Sequence, residues 1–554
     1  MRKFETLLSL SVVVLGLSVF SPAVAAQTSS SLRNPRTTGE FRIAGKVVNA
    51  LTDAPLTRAR VTVADINHPQ KALSTIAAEG GRFEFHALAA GKYVLNGAKR
   101  GFISAAYDEH ERFSTAIVTG AGLDTDHLVL RLFPSASLGG TVLDEGGEPV
   151  RHASVSLYRE DREEGVRYTH NVQTAITDDQ GWYEFSPLQM GTYFVSATAT
   201  PWYAVHQVSS SAGQAGTKPA ADRSLDVAYP EVYYKDATEP DGALPISLRG
   251  GDHLEADLHL NPVPALHLIY RTASAEPFAF SPPALERPAF GEMDSAPVSW
   301  ESVSPGLYES DGVPPGTWAV RIPGTSPDRP TLDFNLDLRE DGQEIDASKG
   351  EPEGHLKASV RMVGGEKPPP EFTVGLRNRN LGVWERQQVD SRGEVEFQSV
   401  PPGTFEVLVF APRRAYSLVH ISLGAQQTTG DRIRVPAGRS LEVSLLVAGS
   451  TMRVEGVAER NGQPVAGAMV VLVPRDPESN RTLFRRDQSD LDGSFSLLNV
   501  IPGSYSIVAI ANGWDLDWAS PAVIRAYTGR ATTITVRDNQ GSIHLPDAVV
   551  VEAR

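Results

Sequence analysis

The sequence predicts an all-β protein built from about five small β-sandwich modules in tandem, and three observations carry that expectation. A glycine followed ten residues later by a second glycine recurs five times: Gly81 and Gly91, Gly181 and Gly191, Gly306 and Gly316, Gly393 and Gly403, and Gly493 and Gly503. Around each pair, apolar residues alternate with polar ones, the period-two pattern of a strand with one buried face. The chain has 554 residues, several times the length of one domain.

The first element is a leader. Arg2 and Lys3 precede an uncharged apolar run from Leu7 to Phe20, and Val24-Ala25-Ala26 supplies small residues before Gln27. This is the pattern of a cleaved signal peptide over residues 1–26, because the run is shorter than the ~20 residues of a spanning helix. Residues 27–40 are expected to form a flexible leader. No later apolar run is long enough to span a bilayer. The chain has no cysteine. Export without disulfides fits a bacterial periplasm, cell surface or exterior, and it excludes thiol nucleophiles and cysteine-bound metals. Net charge is −16, and −17 once Arg2, Lys3 and Glu5 are removed. That balance disfavours nucleic acid and anionic lipid as partners.

Each module then reads in order. A strand near Gly45, Gly140 or Gly456 leads to a hairpin ending in Pro55, Pro149 or Pro464. Four residues later Ala59, Ala153 or Ala468 opens a second strand against a crowded core. Asp178-Asp179-Gln180-Gly181, like Asp490-Leu491-Asp492-Gly493, is turn chemistry, with Asp capping the backbone and Gly supplying a positive φ. Tyr183 and Phe185 share one strand face, and Tyr193 and Val195 share the next. The paired glycines are expected to bend the backbone so that these rings meet inside. The third copy is weaker, with Ser310 in an apolar place. The modules are placed at 41–134, 135–262, 263–350, 351–448 and 449–541, with 542–554 as a tail. Residues 209–221 are expected to form a mobile loop within the second.

The pattern Gly-x-Val…Pro-x-x-x-Ala-x-Val, then Asp-x-x-Gly-x-Tyr-x-Phe and Gly-x-Tyr-x-Val, resembles the carboxypeptidase regulatory-like domain. The resemblance is strong in the first, second and fifth modules and poor in the third. It implies an Ig-like, transthyretin-like sandwich and, loosely, adhesion or carbohydrate contact, but no peptidase activity. Tyr229-Pro230-Glu231-Val232-Tyr233-Tyr234 also resembles a segment of large exported proteins of soil bacteria that carry these modules in tandem. The acid needed for the isopeptide bond of a cousin family is missing near Asn96, Ser196 and Ala509.

No residue pattern selects a catalytic site, a metal site or a cofactor. His253 and His259 read as a polar strand edge, and Asp490-Leu491-Asp492-Gly493 lacks the later ligands of a calcium loop. Aromatic residues are the remaining hint of a ligand surface, because flat rings stack on the apolar faces of sugars. Trp182 faces away from Tyr183, Trp202 and Tyr203 lie beside the insertion of the second module, and Trp514 follows the Gly-x-Tyr strand of the fifth. These four are the candidate carbohydrate-binding residues. The function expected is a non-catalytic, exported binding or structural protein, a monomeric rod contacting carbohydrate, envelope or protein. The alternative is an accessory region of an extracellular hydrolase.

Overall fold

Period-two alternation in the sequence becomes strands paired into two-layered sandwiches. The computed structural model describes residues 39–554 except 121, 164, 207–222, 272–281, 291, 297, 299, 325–330, 379–380, 382, 413–415, 425, 429, 450–451 and 538–540. The signal peptide, nearly all of the flexible leader and the expected mobile loop therefore lie outside the described residues.

One pairing rule runs through all five modules. In the first, Phe41–Asn49 lies antiparallel to Arg82–Leu88 and parallel to Leu128–Leu132. In the second, Ala136–Leu143 holds the same place between Trp182–Leu188 and His253–Glu255. The divergent third obeys the rule, with Leu266–Arg271 between Leu307–Val313 and Gln343–Ile345. The fourth places Gly354–Met362 between Glu394–Val400 and Ser440–Gly449. In the fifth, Arg453–Arg460 pairs with Ser494–Leu498 on one side and with Ser542–His544 and Val549–Glu552 on the other. Residues 542–554 are thus not a tail. They carry the closing strand of the fifth module, whose alternation in Val549-Val550-Val551 is too short to stand out. In the first four modules a second sheet lies opposite, centred on pairs such as Arg60–Asp65 with Gly91–Ala98. In the fifth the opposite layer is centred on Met469–Pro474 with Gly503–Ile510, and Val549–Glu552 pairs with both layers and joins them in one nine-stranded sheet.

Each module encloses its own core. Tyr183 and Phe185 are buried with ring centroids 5.5 Å apart, and Tyr193, Val195 and Leu188 join them. Each such side chain contributes roughly 1.5–3 kcal/mol by leaving water. Ala59, Ala153 and Ala468 are fully buried, as expected of small residues at a crowded entry. A hydroxyl locks that entry in two modules. Thr177 Oγ1 accepts from Ala153 N and donates to Val150 O, and Ser489 Oγ does the same with Ala468 N and Val465 O. In the third module Ser310 is fully buried in the expected apolar place.

The two glycines of each pair do different work. The first has the expected positive φ, +71° at Gly181 and +75° at Gly493. A Cβ there would also meet the carbonyl of Val142 or Ala458 at 2.7 or 2.8 Å. The second departs from that expectation in three modules: Gly191 and Gly316 have φ of +158° and +152°, whereas Gly91, Gly403 and Gly503 have no positive φ. In every module the aromatic residue two positions on lies beside this glycine, and at Gly503 the glycine makes room for it: a Cβ there would meet the Tyr505 ring at 3.2 Å, against 3.6 Å from Tyr193 at Gly191. The polar end of that ring then donates to the carbonyl four residues back. Tyr93 reaches Ala89 O, Tyr193 reaches Gln189 O, Trp318 reaches Pro314 O and Tyr505 reaches Ile501 O, at 2.8–3.2 Å. Phe405 occupies the same place in the fourth module without a donor.

The modules do not form a rod. The fifth returns to contact the first, second and fourth. The fifth module also has a second apolar face, covered mainly by its own residues 516–531 and in part by Val166 of the second module. Met469, Val471 and Val473 point away from its own core and cluster with Val508, Ile510, Trp518 and Ile524. A strand with one wet face alternates, whereas Met469-Val470-Val471-Leu472-Val473 is apolar at both parities and needs cover on both sides.

Candidate functional site

The aromatic residues singled out from the sequence fall into different settings. Trp182 points outward from its strand, since its neighbour Tyr183 fills the core, and its indole lies on the bare backbone of Gly139. Trp202 is 83% exposed. Tyr203 meets it edge-on, with centroids 5.7 Å apart at 86°. The Tyr203 hydroxyl donates to one oxygen of Glu145, and Tyr229 donates to the other at 2.9 Å. Burial favours the neutral acid at Glu145, but these two donors outweigh it and hold the carboxyl below its ordinary range. Burial, then the hydrogen bond to that carboxylate, pushes Tyr203 up to about 12. The carboxylate therefore stays charged at neutral pH and fixes the tyrosine that supports Trp202.

Trp514 is placed otherwise. It stacks on His110 of the first module with centroids 3.8 Å apart and planes 6° from parallel. One face of its ring is covered, so it is a seam residue between modules. The histidines are engaged locally: His253 Nδ1 lies 2.7 Å from Ser137 Oγ, and His259 pairs with Asp236. Among the described residues no three His, Asp or Glu side chains are grouped to hold a metal ion.

The seam between the first and fifth modules is the structure's own addition. Asp490 Oδ1 accepts from Ala116 N at 3.0 Å, and Oδ2 takes the Lys92 ammonium. Leu491 donates its N–H to Ala116 O, and its side chain packs against the core of the first module. Gln488, almost fully buried, donates to Thr115 Oγ1 at 2.9 Å and to Asp108 O at 2.6 Å. Arg486 Nη1 pairs with Glu111 at 2.7 Å. Burial pushes the carboxyls of Asp490 and Glu111 up despite these cations, and it pushes the His110 imidazole down. Asp487 is pushed up to about 6 by burial, against hydrogen bonds from Ser496 N and Gln488 N. On another side of the fifth module, Arg162 of the second pairs with Asp517 at 3.1 Å, and Trp518 packs against Gly165, where any Cβ would collide with the indole.

Where the first, fourth and fifth modules meet, a cleft of about 520 Å³ remains. Its floor is Arg486, whose guanidinium carbon lies 4.6 Å from the Phe113 ring centroid and 6.0 Å from that of Trp518. Sequence reading missed this site. Its signal was the Arg485-Arg486 pair in a strand otherwise matched by Gln173-Thr174 in the second module.

Residues 137–221 match the family model of the carboxypeptidase regulatory-like domain. A search of curated proteins finds no match. Solved structures similar to the chain include the Bacillus anthracis TIE protein, at 13% identity over 74% of both chains with a TM-score of 0.17. A Streptococcal ancillary pilin is 10% identical over 52% of this chain and 98% of its own, with a TM-score of 0.20. BcpA, the major pilin subunit of Bacillus cereus, is 8% identical over 74% of this chain and all of its own, with a TM-score of 0.15. The chain is a tandem of β-sandwich modules, and residues 137–221, within the second, match the carboxypeptidase regulatory-like domain.

Proposed function

We propose that this is a non-catalytic, exported binding and structural protein of the bacterial envelope or exterior, and that the second module contacts carbohydrate through Trp202 and Tyr203, with Trp182 as a second ring. Export rests on the leader pattern of residues 1–26, and the bacterial setting on the absence of cysteine from the sequence. The observation that supports carbohydrate contact is the pairing of an 83% exposed indole with a tyrosine anchored by a charged carboxylate. A large apolar ring held in water is costly unless something covers it, and a pyranose face is a flat, partly apolar cover. Trp514 is set aside from this surface because His110 occupies one of its faces.

The test is a fluorescence titration of the full chain with a panel of neutral oligosaccharides. The expected result is a saturable change in tryptophan emission with at least one sugar, lost in Trp202→Ala. No response to any sugar, or a response unchanged in Trp202→Ala, would remove the carbohydrate reading.

A further inference from the structure

We propose that the cleft between the first, fourth and fifth modules binds a small ligand carrying an oxyanion, gripped by Arg486, Ser496 and Trp518. Four buried polar atoms on these residues lack a hydrogen-bond partner among the described residues: Arg486 Nε and Nη2, Ser496 Oγ and Trp518 Nε1. All three residues line the one cleft. The Arg486 side chain is fully buried, and its Nη1 alone is engaged, by Glu111. Three of the four atoms can only donate, and the fourth, a hydroxyl, can donate too. Folded proteins rarely leave buried donors empty, because nothing in the interior repays the water they have lost. A group that fills this set must be rich in acceptors, and an oxyanion is the densest acceptor available.

Charge points the same way. Arg112 and Arg481 also line the cleft, in a chain whose net charge is −16. Arg485 is not part of the grip: its guanidinium is spent on the carbonyls of Asn499, Thr482 and Phe484 and on Ser417 Oγ. The opposing acids are Glu111, already paired with Arg486, and Asp487, whose carboxylate accepts the Ser496 N–H at 2.6 Å. The volume of about 520 Å³ lies within the range of small-molecule sites and exceeds what a bare ion fills. Tyr416 and Leu498 on its wall offer apolar cover for a ligand body, so the fitting ligand is an anionic group on a compact frame, such as a sugar acid.

The experiment is isothermal titration of the full chain with sodium sulfate, sodium phosphate and sodium glucuronate, at constant ionic strength set with chloride. At least one probe is expected to bind saturably. Ser496→Ala keeps the packing and deletes one donor, Trp518→Phe deletes one donor with some loss of packing, and each should weaken binding about three- to tenfold. Thermal unfolding of Ser496→Ala without ligand should be unchanged or higher, because it loses an unsatisfied group. Binding of glucuronate alone would identify a sugar acid, and binding of sulfate or phosphate alone a free inorganic ion. Failure of all three probes to bind, or binding that both variants leave intact, would overturn the proposal.

Discussion

The second and fifth modules share one turn and use its edge in opposite ways. In the second, Asp178 Oδ1 accepts from Gln180 N and Trp182 N, so the carboxylate caps its own turn. In the fifth, Asp490 gives both oxygens to the first module, and Asp492 takes over the local cap on Ser494 N. The turn tip is Asp179 in one and Leu491, packed on a foreign core, in the other. Two residues before the Asp, the contrast inverts hydrophobic expectation: Ile176 is 59% exposed, while Gln488 is 1% exposed. Gln488 can be buried because Asp108 and Thr115 satisfy its amide. The motif residues Gly181 or Gly493, Tyr183 or Phe495, and Tyr193 or Tyr505 hold the sandwich together. The positions between them are free to become solvent edge or seam.

Five substitutions probe these differences, and the largest effect is expected at Asp487, which replaces Ala175 of the second module. Its raised pKa means that stability from this group is fully present below about pH 4 and is lost as pH rises through about 6. The displacement of about two units amounts to roughly 2–3 kcal/mol at neutral pH. Asp487→Asn should therefore raise the stability of the chain at pH 7.5 and converge with the parent at pH 4, as read by denaturant melts at both values. Equal gains at the two pH values would refute the assignment.

Next in size is Asp490→Ala, expected to cost about 2–3 kcal/mol by stripping Lys92 and Ala116 of a charged acceptor, and to loosen the first module from the fifth. Asp178→Ala removes only a local cap, should cost about 1 kcal/mol, and should leave the overall shape alone. Equal costs with no change in shape would erase the distinction between the two turns. The smallest effect concerns the ring over the second glycine. Phe405→Tyr should supply the donor that four other modules have, reach Pro401 O and stabilise the fourth module by about 0.5–1.5 kcal/mol. Tyr505→Phe should cost a similar amount, measured in the same thermal series.

Much of this architecture was readable because its physics is local. Alternation set the strands, Asp-x-x-Gly set the turn, and buried rings at Tyr183, Phe185, Phe397 and Phe495 followed from parity alone. The role of Gly503 was misread because a glycine before an aromatic residue looks the same whether it frees φ or frees space. The closing strand at Val549–Glu552 was missed because its partners, Ala458 and Glu459 on one side and Ala509 and Ile510 on the other, are distant in sequence. The seam was illegible for a further reason: it depends on which outer faces meet, and no local period encodes that. It did leave traces in the doubly apolar run Met469–Val473, in Leu491 at a turn tip and in Gly165 beside Trp518. Of the candidate ligand residues, parity correctly turned Trp182 outward, whereas nothing near Trp514 in sequence announces His110.

Small-angle scattering from the full chain in dilute solution tests the closed arrangement most directly. A compact chain of this length has a radius of gyration of roughly 24 Å, and five sandwiches strung end to end would give at least about twice that. Closure through Lys92, Asp490 and Leu491 predicts a value near the compact limit that rises in Asp490→Ala. An extended profile for the parent chain, indifferent to that substitution, would contradict it.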